Sequence, residues 1–268
     1  LNVKAPHVTP RASEHIAEMI QLIQRLEKKG YTYQTSDGIY FDTSKFKNYG
    51  RLSRQKASEK RAGARIELSS EKKNPTDFAL WKFSPPEVKR QQEWASPWGT
   101  GFPGWHIECS VLSQKYLGQP LDIHTGGVDH IGVHHENEIA QSEAAYNRPL
   151  AHYWIHVEFL QFKQAKMAKS SGSFITVKDL IDKGYNPLAY RLFILAAHYQ
   201  SKQNFSWSAM DQSSKNLIKI YKTATRLRDY SQNKKTESKL DLVKYRRQFK
   251  QHLRNNLDSP QLMATLFN

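Results

Sequence analysis

A single cysteine, Cys109, stands among 268 residues. With no second thiol in the chain to pair with, an internal disulfide framework is excluded, and the composition fits a reducing compartment. That lone thiol is either a buried apolar filler or a thiolate with a chemical task. Long apolar runs are missing too. No stretch of about 18 apolar residues occurs, which excludes a hydrophobic membrane-spanning helix. The opening LNVKAPHVTPRASEHI has the pattern of neither a signal nor a transit peptide and reads like the middle of a protein. Internal repeats and low-complexity segments are absent as well. Acidic residues are scarce: 25 Asp and Glu face 40 Lys and Arg, a net charge of +15. Such an excess is either a solvated basic surface or the footprint of a polyanionic partner such as nucleic acid.

What is present suffices for a core. Apolar residues make up 38% of the chain, with six Trp, and the length allows one large domain or a few smaller ones. Thr9, Pro10 and Gly30 bracket a predicted helix over 10–29, with Ile16, Met19, Ile20, Ile23 and Leu26 at helical spacing. YTYQTSDGIYFD reads as a hairpin around Asp37-Gly38. Residues 43–75 read as polar surface loops and short strands. WASPWGTGFPG at 94–104 is dense punctuation where the chain enters a new layer. A helix over 105–117 ending at Gly118, a short buried strand LDIHT at 121–125, Gly126-Gly127, and a helix from about 134 to 146 follow. Strand, glycine turn and helix in that order suit an α/β nucleotide-binding sheet. Residues 151–163 are β-rich. Beyond them 176–183, 187–199, 206–232 and 240–257 read as helices, the last part as a bundle.

Three groups of residues could carry chemistry. Cys109, His134 and Glu138 offer a thiolate, an imidazole and a carboxylate, all zinc ligands. His134 and Glu138 are four apart and share one helix face, which is also what a solvated face looks like. Three ligands leave a tetrahedral ion one short, so the fourth must be substrate, water or a residue outside this chain. Lys166 and Lys169, in KMAKS before Ser170-Ser171-Gly172, could neutralise a polyphosphate or be an ordinary basic loop. His124 to Asp129, HTGGVD, could admit a nucleotide closely and bond a ribose hydroxyl, or be a tight turn needing positive φ.

Together, the runs PRASEHIAEMI, GRLSRQ, AGAR, KNPTDFALWK, SPWGTGFPGWHIECS, LDIHTGG, HHENEIAQS, KMAKSSGSFITV and HYQSKQNFSW resemble the cysteinyl-tRNA synthetases, class I aminoacyl-tRNA synthetases, in the same order up to about residue 225. The resemblance implies ATP-dependent activation of cysteine to cysteinyl-adenylate and its transfer to tRNA(Cys). It implies a zinc ion that binds the substrate thiolate, with Cys109, His134 and Glu138 as three of its ligands. The remaining family ligand, a cysteine, lies ahead of where this chain begins. It further implies Lys166 and Lys169 as catalytic residues, with Lys169 contacting ATP. Gly126, Gly127 and Asp129 are expected on the adenosine side of ATP, and Trp105 and His124 against the substrate. The HIGH signature of the class is absent from this sequence. Ala168 and Ser171 depart from the usual KMSKS loop, as do Val128, His130, Gly132 and Val133 from the usual glycine turn.

The fold implied is α/β: a partial Rossmann-like class I catalytic domain with an inserted domain, followed by an α-helical bundle. Residues 1–16 would end an early part of the Rossmann-like domain, and 17–102 would be the inserted connective domain. The second half of the catalytic domain would span 103–150. The KMAKS loop and stem-contact region would span 151–214, and the bundle 215–268. The expected protein is a cytoplasmic monomer with no membrane contact, and the chain alone is expected to be inactive. Two alternatives remain: a related cysteine ligase acting on an amino-sugar inositol, and a catalytically silent RNA-binding module.

Overall fold

Helix α1, Ile16–Lys28, buries Met19, Leu22, Ile23 and Leu26 along one stripe; each such side chain contributes about 2 kcal/mol when removed from water. This is a computed structural model, and it describes residues 1–54, 71–85, 87, 90–162, 165–166, 174–233 and 241–267. The helix starts later than Thr9 and Pro10 suggest. Ala12–Glu14 form a short 3-10 turn, and His15 leaves helical geometry at φ −126° while bonding the Arg11 carbonyl at 2.8 Å. Gly30, at φ +77°, closes the other end.

Strands β1 (Thr32–Thr35), β2 (Gly38–Phe41), β3 (Phe78–Phe83) and β4 (Gly101–Pro103) form an antiparallel sheet in that order. The hairpin turns at Ser36-Asp37, one residue earlier than Asp37-Gly38. Gly38 already pairs in β2, where a Cβ would sit 2.2 Å from the Trp81 carbonyl oxygen, so only glycine fits. The sheet packs Ile39, Phe41, Phe78, Leu80 and Trp81 against α1, against Ile107 and Val111 of α2 (Trp105–Leu117), and against Ala140, Ala144 and Ala145 of α3 (His134–Tyr146). The described part of 43–75 is less superficial than its polarity suggests. Thr43 and Gly50 are buried, and Phe46 and Tyr49 pack on this core.

Helix α2 ends at Gly118, φ +78°. β5 (Leu121–Gly127) pairs with β6 (Ala151–Val157). Only Leu121 of β5 is buried, which corrects the expected buried strand. Its apolar residues alternate imperfectly, and one face stays open. Helix α3 ends on Asn147 in the left-handed region, φ +55°. Lys29 Nζ donates to the carbonyls of Ala144 and Ala145 there, at 2.8 Å each.

The elements so far lie in one compact unit, Pro6–His156; Leu1–Ala5 and Val157–Asn268 form a second. In the second, β7 (Leu160–Phe162) pairs with β8 (Ala165–Lys166) and runs parallel to β9 (Gln203–Phe205). Thr176 and Asp179 make a reciprocal capping box at α4 (Val177–Asp182), and Asn186 caps α5 (Pro187–Leu195). Leu180, Ala189, Phe193 and Phe205 form a core with Met210 and Leu217 of α6 (Trp207–Asn233). Then come α7 (Leu242–Arg254) and α8 (Ser259–Phe267). The sequence reading missed α8. Its start was legible, because Asp258 accepts from the Gln261 N–H in the first turn and Pro260 suits that turn. Among the described residues no helix is long and apolar enough to cross a membrane.

Candidate metal and substrate site

Helices α2 and α3 cross beside the end of β5, and their facing sides are polar. Cys109 on α2 and His134 and Glu138 on α3 bring one donor atom each within 4.8 Å of one another. The i, i+4 spacing puts His134 Nε2 and Glu138 Oε2 3.6 Å apart. Glu138 is fully buried, and its Oε1 has no hydrogen-bond partner among the described residues. A buried carboxylate oxygen left unbonded is costly, and a cation at this point would satisfy it. Burial and the carboxylates of Glu138 and Glu108 push the Cys109 thiol up to about 12. Without a cation the sulfur therefore holds its proton. Burial, first of all, lowers the pKa of His134, so its imidazole is neutral and able to ligate.

A second donor set shares the same carboxylate: His124, His135 and Glu138, also within 4.8 Å. His124 Nε2 lies 3.0 Å from Glu138 Oε2. His135 Nδ1 bonds His156 Nε2 on β6 at 2.8 Å, and burial together with His124, His156, His134 and His130 pushes His135 down to about 3. Trp154 lies against this group, its ring 5.0 Å from His124 and parallel to His156.

The structure thus gathers Cys109, His124, His134 and Glu138 at one place, with Trp105 over them. The Trp105 ring is 58% exposed and its centroid lies 4.2 Å from that of His134, so it shields the imidazole on one side and offers its other face to solvent. Gly126 and Gly127 border the same site, but not through positive φ: Gly127 has φ −76°. For Gly126 the reason is close approach to buried imidazole, whereas at Gly127 the neighbour is the movable end of an exposed side chain. A Cβ on Gly126 would lie 2.6 Å from the His135 ring, and one on Gly127 would lie 2.4 Å from Asp129 Oδ1. Asp129 is exposed on the turn before α3. Lys166 is the last residue of β8 in the other unit, and Lys169 lies outside the described residues.

Sequence reasoning missed His106, His135, Asn137 and His156. The doublet His134-His135 and the histidine in HVEF were the available signals. Their meaning arises only where α2, α3 and β6 meet. His106 is buried at the crossing, its Nδ1 3.0 Å from His134 Nδ1 and its Nε2 3.1 Å from Asn137 Nδ2. Gln141 ties the helices together by donating to the His106 carbonyl and to Ser110 Oγ. Glu136, on the same helix, is buried and accepts from the backbone N–H groups of Gly50 and Ser53 at 2.6 and 2.7 Å.

The profile of the family described as tRNA synthetases class I (C) catalytic domain matches residues 1–215. The chain belongs to this family. It is 52% identical over 221 residues to a cysteine–tRNA ligase of Burkholderia lata, covering 82% of this chain and 47% of that protein. It is 53% identical over 206 residues to a cysteine–tRNA ligase of Pyrococcus horikoshii, covering 77% of this chain and 42% of the relative. The chain therefore spans about half the length of the curated relatives it matches. The solved structure of Mycobacterium tuberculosis methionyl-tRNA synthetase with methionyl-adenylate shares the fold at a TM-score of 0.65 and 14% identity, over 97% of this chain and 64% of the other. The α/β class I fold expected of the synthetase chain is thus the fold found.

Proposed function

We propose that this chain is the amino-acid-sensing part of a cysteine–tRNA ligase, with zinc held by Cys109, His134 and Glu138. The observation that carries the reading is the convergence of three donors of different type, one of them the buried Glu138 carboxylate, whose Oε1 has no hydrogen-bond partner among the described residues. The resemblance to cysteine–tRNA ligases over most of the chain supplies the substrate. Both donor sets that share Glu138 are of zinc-binding type, and the one with Cys109 adds a soft sulfur that favours zinc over hard cations. Bound there, zinc would take the substrate sulfur as a thiolate, a ligand that a serine hydroxyl matches poorly; an apolar pocket alone separates such near-isosteres weakly.

The remaining roles belong to the chain's own side chains. Trp105 walls the amino-acid pocket. His124 orients the Glu138 carboxylate through their 3.0 Å bond. Gly126 and Gly127 keep the floor free of side chains, and Asp129 faces the ribose of ATP. Lys166 and Lys169 neutralise the triphosphate as charge moves onto the leaving pyrophosphate. Transfer to tRNA(Cys) draws on the basic surface, including Arg246, Arg247, Lys250 and Arg254 along one side of α7. The whole protein acts as a cytoplasmic monomer.

Cysteine-dependent ATP–pyrophosphate exchange by the full-length protein tests this, together with elemental analysis. The expected result is one zinc per protein, exchange with cysteine but not serine, and loss of both zinc and exchange in Cys109→Ser. A protein without zinc that still discriminates cysteine from serine would overturn the reading.

A further inference from the structure

A line of hydrogen bonds runs from the polar loop after β2 to the imidazole of His134. Tyr49 Oη donates to Asn137 Oδ1 at 2.6 Å. Asn137 Nδ2 meets His106 Nε2 at 3.1 Å, and His106 Nδ1 meets His134 Nδ1 at 3.0 Å. His106, His134 and Asn137 are 9%, 4% and 2% exposed, so bulk water offers no substitute partner. In such a line each hydrogen dictates the next. An amide N–H pointing at His106 Nε2 makes that nitrogen an acceptor. The hydrogen of His106 then sits on Nδ1 and points at His134 Nδ1, which becomes an acceptor in turn. The hydrogen of His134 is left on Nε2, the nitrogen that faces Glu138. In this polarity His134 presents an N–H, not a lone pair, to the place where the metal would lie.

We propose that Tyr49, Asn137 and His106 are positioning residues that set the tautomer of His134, and that the line reverses its polarity when the site takes up its metal. The inference rests on the zinc reading of Cys109, His134 and Glu138. In the reversed line His134 carries its hydrogen on Nδ1 and donates to His106 Nδ1. His106 carries its hydrogen on Nε2 and donates to Asn137 Oδ1, the amide having turned by half a revolution. Asn137 Nδ2 then donates to Tyr49 Oη, whose own hydrogen rotates to another acceptor. Every group keeps its number of hydrogens: each imidazole exchanges one N–H position for the other, and both rings stay neutral. The amide turn needs no new space, because its oxygen and nitrogen are nearly the same size. At Nδ1 His134 bonds only toward His106 among the described residues, and at Nε2 it faces the Glu138 carboxylate, which favours the metal-free polarity.

The relay makes Asn137 the decisive residue, because it is the one member that offers an acceptor and a donor by turning over. Asn137→Asp is nearly isosteric but can only accept. It holds His106 with its hydrogen on Nε2 and His134 with its hydrogen on Nδ1, the polarity that accepts a metal. Asn137→Leu removes both functions.

The test measures zinc affinity of the full-length protein by chelator competition and the histidine tautomers by 15N chemical shifts, with Cys109→Ser as the control for the zinc reading. In the wild type His134 is expected to move its hydrogen from Nε2 to Nδ1 on zinc binding. Asn137→Asp is expected to show the Nδ1–H form before any zinc is added and to bind zinc about tenfold more tightly; Asn137→Leu is expected to bind about tenfold more weakly. Equal weakening by both substitutions, with the His134 tautomer unmoved by either, overturns the relay and leaves Asn137 a packing residue. If Asn137→Leu does not fold, the Asn137→Asp tautomer decides alone. Zinc binding that survives Cys109→Ser unchanged, or fails in the wild type, refutes the zinc reading instead. The tautomer of metal-free Asn137→Asp still decides the relay in that case.

Discussion

Helix α3 carries two histidines, two glutamates, an asparagine, a glutamine and a serine in its first nine residues, and eleven of its thirteen residues are buried. Helix α7 has the same length, with Leu242, Val243, Tyr245, Phe249 and Leu253, and none of its residues is fully buried. Polarity and burial thus run opposite ways in the two helices. In α3 almost every polar group has a partner on α2, β5, β6 or the loop after β2, so the cost of leaving water is offset. In α7 the half-buried side is Tyr245, Gln248, Phe249 and His252, and Leu242, Val243 and Leu253 stay exposed. An apolar stripe reports what a helix could bury, and a polar one does not report that it stays in water. Only the neighbours decide.

This contrast can be broken or sharpened by substitution. The largest effect is expected in α3. Glu136→Ala removes the acceptor of two backbone N–H groups and should lower the stability of the protein by about 3 kcal/mol in a denaturant titration. A change under about 1 kcal/mol would mean that the buried polar face is not held by pairing. Next, zinc affinity should rise by about tenfold per pH unit across the neutral range. The Cys109 thiol is held up to about 12, so its proton must leave when sulfur binds the ion, and acid favours the proton. Chelator competition at several pH values checks this, and an affinity that stays flat across the neutral range would argue against a thiol ligand. In α7 the charged side should matter through phosphates. Replacing Arg246 and Arg247 by Ala should weaken tRNA binding by the full-length protein and reduce its salt slope by about one unit for each phosphate left without its arginine. An unchanged slope would detach this helix from the nucleic acid. The smallest effect is expected from Val243→Lys, which should change stability by less than about 0.5 kcal/mol, because Val243 is 67% exposed.

Much of the framework was legible before any coordinates. The bounds of α2 and α3, the starts of α4 and α5, and the long α6 followed from spacing and glycines, whereas α5 ends at Leu195 and not at 199. Boundaries were less so: α1 begins at Ile16 because His15 breaks the turn, a detail that Thr9-Pro10 outcompetes in a sequence reading. Cys109, His134 and Glu138 were legible as a group of donor types, and the resemblance implied that they share one zinc ion. His106, Asn137 and His156 were not. A histidine on an apolar-looking stretch carries no mark of its hydrogen-bond partner when that partner lies 31 residues away, as Asn137 does from His106. The glycine pair signals either close approach or positive φ, and the second could be discarded only once Gly127 was seen at −76°.

By itself the sequence determined the donor chemistry. A thiol, an imidazole and a carboxylate were fixed by residue type, as were the i, i+4 spacing on α3 and the basic excess that suits a polyanion. Tertiary structure decided which of these groups meet, because contacts between α2, α3 and β5 depend on how their surfaces pack and not on any local preference. It decided that Glu138 keeps one buried oxygen without a hydrogen-bond partner among the described residues. It also decided that His134 is reached through Tyr49, Asn137 and His106, so that the state of a candidate metal ligand depends on a loop that the sequence marks only as polar.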